Sequence, residues 1–207
     1  MVTSLVLPVL WILWCGMHSA LIDPVVADRI KNRFPGVMRY YRLLYNGLSL
    51  STFVPLMLYT RGEGGAVVFG WQGWGEMLRL LLLLFALVLF WRGAKRYDLR
   101  FFLGLDQLAS GKATVLLSSN ENFSATGIFS LTRHPWYLGS LLFLWSIFSE
   151  YSRSVFIAVL ILSLYLIVGT LLEERKILRE HGDSYRRYQQ QVSMLFPWKW
   201  LKARLKR

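Results

Sequence analysis

The sequence predicts an all-α polytopic membrane bundle of about five transmembrane helices, with the N-terminus outside and the C-terminus cytoplasmic. Hydrophobic residues make up 55% of the chain against 17% charged, a balance far from that of an ordinary soluble domain. Long stretches carry no charge at all, and the basic residues gather in alternate loops. One domain is expected over residues 1–207.

The first run, Thr3 to Ile22, has 20 residues without a formal charge, enough to cross a hydrocarbon core of about 30 Å as a helix. A secretory signal would need a basic start, and residues 1–22 contain no Lys or Arg. Cys15, the only cysteine, lies inside this run and excludes an intrachain disulfide. A polar loop with Pro24, Pro35 and Gly36 as breakers follows, and Tyr40, Tyr41 and Tyr45 suit an interfacial aromatic belt. The second run is Leu43 to Thr60, and the Gly/Trp-rich stretch after it reads as a tight external turn. The third, Val67 to Trp91, carries Glu76 and Arg79 near its start. The fourth, Pro135 to Ser149, has only 15 residues, and the fifth, Ser154 to Leu172, has 19.

Between the third and fourth runs lies a long, less apolar segment, Arg92 to Arg133, a length that suggests a lid. Beyond Leu172 the chain reads as a helix leaving the membrane, a glycine stop at Gly182 and a second basic helix.

Net charge is +12, but the basic residues flank apolar runs rather than a nucleic-acid reading element, so no nucleic-acid partner is expected. With the N-terminus outside, 21 of the 24 Lys and Arg residues fall on the cytoplasmic side. An integral protein of a bacterial inner membrane is the expected location, with membrane lipids as its surroundings.

This topology brings polar residues to one membrane edge. His18 ends the first helix, Arg42 and Asn46 begin the second, Arg133, His134 and Tyr137 begin the fourth, and Glu173 and Glu174 finish the fifth. Ionisable groups at that depth are costly unless paired or wetted, which marks them as a candidate site. Other uses exist for each: Arg133 can snorkel to lipid phosphates, and Glu173 can pair with Arg133 or Arg175. A transporter would need such groups near mid-membrane rather than at one edge. No metal site is expected.

The stretches "GIFSLTRHPWYLG" and "EERKILREHGDSYRRYQQQVSMLFP" resemble the paired C-terminal signature of integral-membrane S-adenosylmethionine-dependent methyltransferases, over about residues 122–198. That superfamily includes isoprenylcysteine carboxyl methyltransferases, phospholipid N-methyltransferases, methanethiol S-methyltransferases and NnrU-like proteins. "MHSALIDP", "YYRLLYNGLSL" and "YDLRFFLGLDQL" are most similar to the last two.

The resemblance implies methyl transfer from S-adenosylmethionine at the cytoplasmic mouth of the bundle. It places Gly127, Phe129, His134, Pro135, Tyr137, Gly139, Glu173 and Glu174 around the cofactor. Arg133 and His134 are the implied catalytic pair, with Arg133 a candidate partner for the cofactor carboxylate. His18, Arg42 and Asn46 remain for the acceptor, a small molecule or lipid-like compound. Family members often have tyrosine where this chain has Phe129, and prenylcysteine enzymes have arginine where it has Gly169. That shifts the expected acceptor toward a small or lipophilic thiol, ahead of a prenylcysteine carboxylate or a lipid amine. A non-catalytic membrane accessory protein of the same fold is the alternative of a different class.

Overall fold

The computed structural model describes residues 3–95, 99–110 and 125–205. Helices dominate: α1 (Thr3–Ile22), α2 (Pro24–Arg33), α3 (Tyr41–Glu63), α4 (Trp74–Ala94), α5 (Leu99–Leu103), α6 (Leu105–Ser110), α7 (Pro135–Ser146), α8 (Arg153–Gln191) and α9 (Trp198–Leu205). Two short strands, β1 (Val67–Gly70) and β2 (Glu150–Ser152), pair with each other where the sequence suggested plain turns.

Among the described residues, three helices are long and apolar enough to cross a membrane: α1 from Leu5, α4 and α8. They display large side chains outward, such as Leu13, Leu84 and Leu164, each about 60% exposed (62%, 59% and 64%). Contiguous apolar exposure on this scale is expected of a lipid-facing surface and unusual for a soluble monomer. The 23 residues of α3 give it spanning length, but Asn46, Ser49, Ser51 and Thr52 make it more polar. Within the expected fourth run, α7 has 12 residues, about 18 Å at the helical rise, shorter than a hydrocarbon core of about 30 Å.

The first expected loop is also more ordered than its composition suggested. Asp23 caps α2, its Oδ1 accepting from the N–H groups of Val25 and Val26 at 2.9 and 3.3 Å, and Pro24 takes the first helical position, where no N–H is missed. Of the expected lid, α5 and α6 are helical, whereas residues 96–98 and 111–124 lie outside the described residues, as do residues 122–124 of the signature region.

The chain divides into two compact units, each assembled from three segments: residues 1–68, 97–118 and 151–162 in one, and 69–96, 119–150 and 163–207 in the other. In the first, α1 packs on α3 through indole-to-hydroxyl bonds. Trp11, fully buried, donates to Thr60 at 3.0 Å, and Trp14 donates to Thr52 at 3.1 Å. In an apolar medium such bonds fix register where greasy side chains alone discriminate poorly.

In the second unit, α4 packs along α7. Two glycines permit the close approach. A Cβ on Gly93 would fall 2.4 Å from the ring of Trp136, whose indole N–H donates to the Phe90 carbonyl at 3.2 Å. On the opposing helix, a Cβ on Gly139 would meet Phe90 at 3.1 Å and Leu89 at 3.3 Å. The two charges noted at the start of the third run satisfy each other: Arg79 holds Glu76 at 2.6 and 2.9 Å and also donates to the Ser146 carbonyl at 2.8 Å.

Gly93→Ala is therefore expected to force Trp136 aside and cost about 1–3 kcal/mol of stability. Gly16→Ala on α1, where an added Cβ meets nothing within 4 Å, should be neutral or mildly stabilising. Thermal unfolding of both variants in detergent checks the contrast.

Candidate active site

The site grows from how the second unit fastens residues 132–134. Thr132 forms an isolated parallel bridge with Ser193. Next to it the Arg133 N–H donates to the Ser193 carbonyl at 2.9 Å, and the Met194 carbonyl accepts from the Thr132 hydroxyl at 2.8 Å and the His134 N–H at 3.3 Å. Pro135 then opens α7 with a φ already suited to a helix and no N–H to leave unpaired. His134 and Arg133 are thus held at a helix start by a strand-like clasp rather than by their own helix.

The opposing wall is α8, which would be too straight to form a site if it continued unbroken. Glu174 and Tyr185 are 11 residues apart, about 16 Å along a regular helix, yet the Tyr185 hydroxyl donates to Glu174 Oε1. The break is at Gly182, where φ is +52° and ψ −124°, a conformation essentially reserved for glycine. The returning segment packs Tyr185, Tyr188 and Val192 against Ile177 and Leu178. The expected glycine stop is present as a sharp redirection.

All of this converges on one carboxylate. Glu174 Oε1 accepts from Arg133 Nε at 2.9 Å, from His134 Nε2 at 2.6 Å and from the Tyr185 hydroxyl. Oε2 accepts from Arg133 Nη2 at 2.6 Å and Gln189 Nε2 at 2.7 Å. Arg133 Nη1 donates further to the carbonyls of Val192 and Gln189 at 2.5 and 3.3 Å. The pair is buried, with Arg133 and Glu174 side chains 8% and 9% exposed. A bidentate fork of this kind fixes orientation as well as charge.

Both Glu174 and Tyr185 lie beyond the apolar run that ends at Leu172. Burial pushes the Glu174 carboxyl up, but the hydrogen bonds from His134, Arg133, Tyr185 and Gln189 outweigh it and hold it well below the usual carboxylate range. Burial and donation to Glu174 push the Tyr185 hydroxyl up, so it stays a donor.

A carboxylate only accepts, so the 2.6 Å contact puts a proton on His134 Nε2. Nδ1 is then the ring nitrogen turned away from Glu174. It faces Glu173 Oε2 at 3.9 Å, and Glu173 is the more accessible of the two acids, with its side chain 38% exposed. The ring of Tyr137 stands edge-on to His134 at 5.7 Å between centroids. Gly169 lies beside it, where an added Cβ would touch Tyr137 at 3.4 Å.

The other expected site residues make contacts of their own within each unit. Gly139 faces Leu89 and Phe90 of α4, so the space it leaves is filled by protein. Gly127 is exposed with φ +57°, opening the 3-10 turn Gly127–Ser130, and Phe129 contributes its backbone carbonyl, which accepts from Tyr188 at 2.8 Å. In the first unit, Arg42 Nε and Asn46 Nδ2 each donate to the Phe102 carbonyl at 3.1 Å and so cap the short helix α5. His18 stacks on Trp14 at 5.0 Å and bonds Tyr45 at 2.7 Å and Ser49 at 3.1 Å. Tyr185 and Gln189 belong to the site but were not singled out from the sequence. Their i, i+4 spacing beside Tyr188 and Val192, a stripe of 185, 188, 189 and 192, is the signal that identifies them.

Glu174→Gln is expected to lower stability by about 3–5 kcal/mol, because it strands a buried guanidinium. Gly182→Ala should cost about 1–3 kcal/mol through backbone strain and pull Tyr185 and Gln189 out of the site. Denaturation of each variant in detergent, compared with the neutral exposed change Arg179→Gln, measures both.

Comparison with known proteins agrees with this reading of the signature. A family profile described as a protein of unknown function, DUF1295, matches residues 52–192. A methanethiol S-methyltransferase of Pseudomonas deceptionensis is 31% identical over 127 residues, 61% of this chain and 43% of that protein. One from Pseudomonas sp. (strain GM41(2012)) is 29% identical over 136 residues, 66% of this chain and 46% of that protein. Methanethiol S-methyltransferase 1 of Bradyrhizobium diazoefficiens is 36% identical over 77 residues, 37% of this chain and 27% of that protein. The chain spans less than half the length of these curated relatives. No solved structure matches. Because the profile runs through both the Arg133–His134 segment and Glu174, the chain belongs to the DUF1295 family and is a distant relative of the methanethiol S-methyltransferases.

Proposed function

We propose that this chain is a membrane-embedded methyltransferase that moves the methyl group of S-adenosylmethionine to a small or lipophilic thiol. The observation that carries the reading is the cluster in which His134 is gripped by Glu174 on one nitrogen and faces Glu173 with the other. The named activity of its relatives supports the same class of reaction.

The donor set fits such a cofactor. Its ammonium and sulfonium groups are cationic, and Glu173 offers an accessible carboxylate beside the ring of Tyr137. Arg133, by contrast, is committed to Glu174 and two carbonyls, so its work is to position His134 rather than to hold the cofactor carboxylate. When bound, S-adenosylmethionine supplies the electrophilic methyl carbon.

The chain's own contribution is alignment and proton handling. Glu174 fixes the imidazole plane and keeps the Nε2 proton in place, the orienting role that a carboxylate plays for many catalytic histidines. Nδ1 then accepts the thiol proton, so that the nucleophile reacts as thiolate. Burial of His134, 5% exposed, keeps water from competing at that nitrogen. The reading places the N-terminus outside and the Arg133–Glu174 edge at the cytoplasmic face of a bacterial inner membrane, following the bias of Lys and Arg.

A methyl-transfer assay with labelled donor and a panel of thiols, prenylcysteine analogues and lipid amines tests this. Thiols are expected to be methylated fastest, and Glu173→Ala should weaken donor binding about 10- to 100-fold, the loss of one charge-assisted contact. Preference for a prenylcysteine carboxylate or lipid amine would reassign the acceptor. Absence of both turnover and saturable donor binding would identify a non-catalytic accessory protein.

A further inference from the structure

Helix α9 has no part in the chemistry above, yet its composition is specific. By helical spacing Trp198, Leu201 and Leu205 share one stripe, with Lys202 on one side of it and Arg204 on the other. Both ends of the stripe are uncovered, Trp198 being 55% and Leu205 86% exposed, with Leu201 half-buried between them, and Phe196 just before the helix is 63% exposed. Lys202 lies over the Trp198 ring at 5.2 Å and Arg204 over Trp200 at 5.1 Å, so the cations frame the aromatic surface. From Ser184 to Leu205 there are five Lys and Arg residues and no Asp or Glu.

We infer that α9 is a docking helix for anionic phospholipid headgroups. An exposed apolar stripe flanked by cations matches a layer in which acyl chains begin where negative charge ends. A purely apolar partner would leave Lys202 and Arg204 desolvated, and an acidic surface without acyl chains would leave Trp198 and Leu205 uncovered. The seat of the helix is tied to the active-site clasp. Lys199 Nζ donates to the Gln189 carbonyl, and the Lys199 N–H donates to Ser193 Oγ at 2.9 Å, on the same residue that receives Arg133. Lipid docking of α9 therefore steadies the segment against which residues 132–134 are registered.

The inference needs the chain to be membrane-embedded but does not depend on methyl transfer. The test uses the full chain with Cys15→Ser and Leu205→Cys, labelled with an environment-sensitive dye and placed in nanodiscs containing brominated phosphatidylglycerol or brominated phosphatidylcholine. A second labelled variant, Leu164→Cys, reports embedding of α8 separately and should be quenched by both lipids. At low salt, dye at position 205 should be quenched about twofold or more by the anionic lipid over the neutral one. The ratio should fall toward unity near 1 M salt, where the Debye length is about 3 Å, and in the Lys202→Gln, Arg204→Gln double variant. Equal quenching by both lipids at low salt would overturn the headgroup assignment. Quenching by neither, with position 164 still quenched, would assign the stripe to a protein partner or a second copy. Loss of quenching at position 164 as well would remove the membrane premise itself.

Discussion

The second unit is organised by the Glu174 carboxylate. Five donors from four residues reach its two oxygens, and they come from two places in the chain, the start of α7 and the segment that returns after Gly182, while the carboxylate itself stands at the end of the apolar part of α8. Removing a carboxylate from water costs several kcal/mol, and only a fully satisfied oxygen pair repays that cost. Each donor is thus a condition on the fold. Arg133 demands the clasp to Ser193 and Met194, Tyr185 demands the break at Gly182, and His134 demands that α7 begin at Pro135.

The same constraint explains why so many polar side chains meet around Glu174 in so apolar a chain. At Gly93, Gly139, Trp11 and Trp136 the helices meet through small residues and isolated indole bonds, which set register without charge. The charge of Arg79, inside α4, is matched by Glu76 and the Ser146 carbonyl. Gathering polar groups around Glu174 makes that part of the second unit rigid.

Much of this was legible in sequence. The apolar runs of α1, α4 and α8, the proline start of α7, the glycine break at 182 and the choice of Arg133, His134 and Glu174, which the fold brings into contact, all follow from local pattern or motif. What was not legible depends on contacts distant in sequence. The pairing of β1 with β2 needs strand partners about 80 residues apart, as the Trp71-to-Ser149 bond shows, and neither segment is long or alternating enough to announce itself. Arg42 and Asn46 are expected at the acceptor because polar residues at a membrane edge are expensive, and their bonds to the backbone carbonyl of Phe102, some 60 residues on, could not be foreseen from local pattern. The packing of Gly139 against Phe90 and Leu89 of α4 likewise depends on a contact about 50 residues away in sequence.

The central claim is that Glu174 fixes the imidazole of His134 with a proton on Nε2. The chain has only three histidines, His18, His134 and His181, so nitrogen NMR of the histidine-labelled protein in nanodiscs can resolve each ring. The account predicts a protonated Nε2 on His134 whose resonance shifts when Glu174 is replaced by glutamine. An unprotonated Nε2, or a resonance indifferent to that replacement, would contradict it.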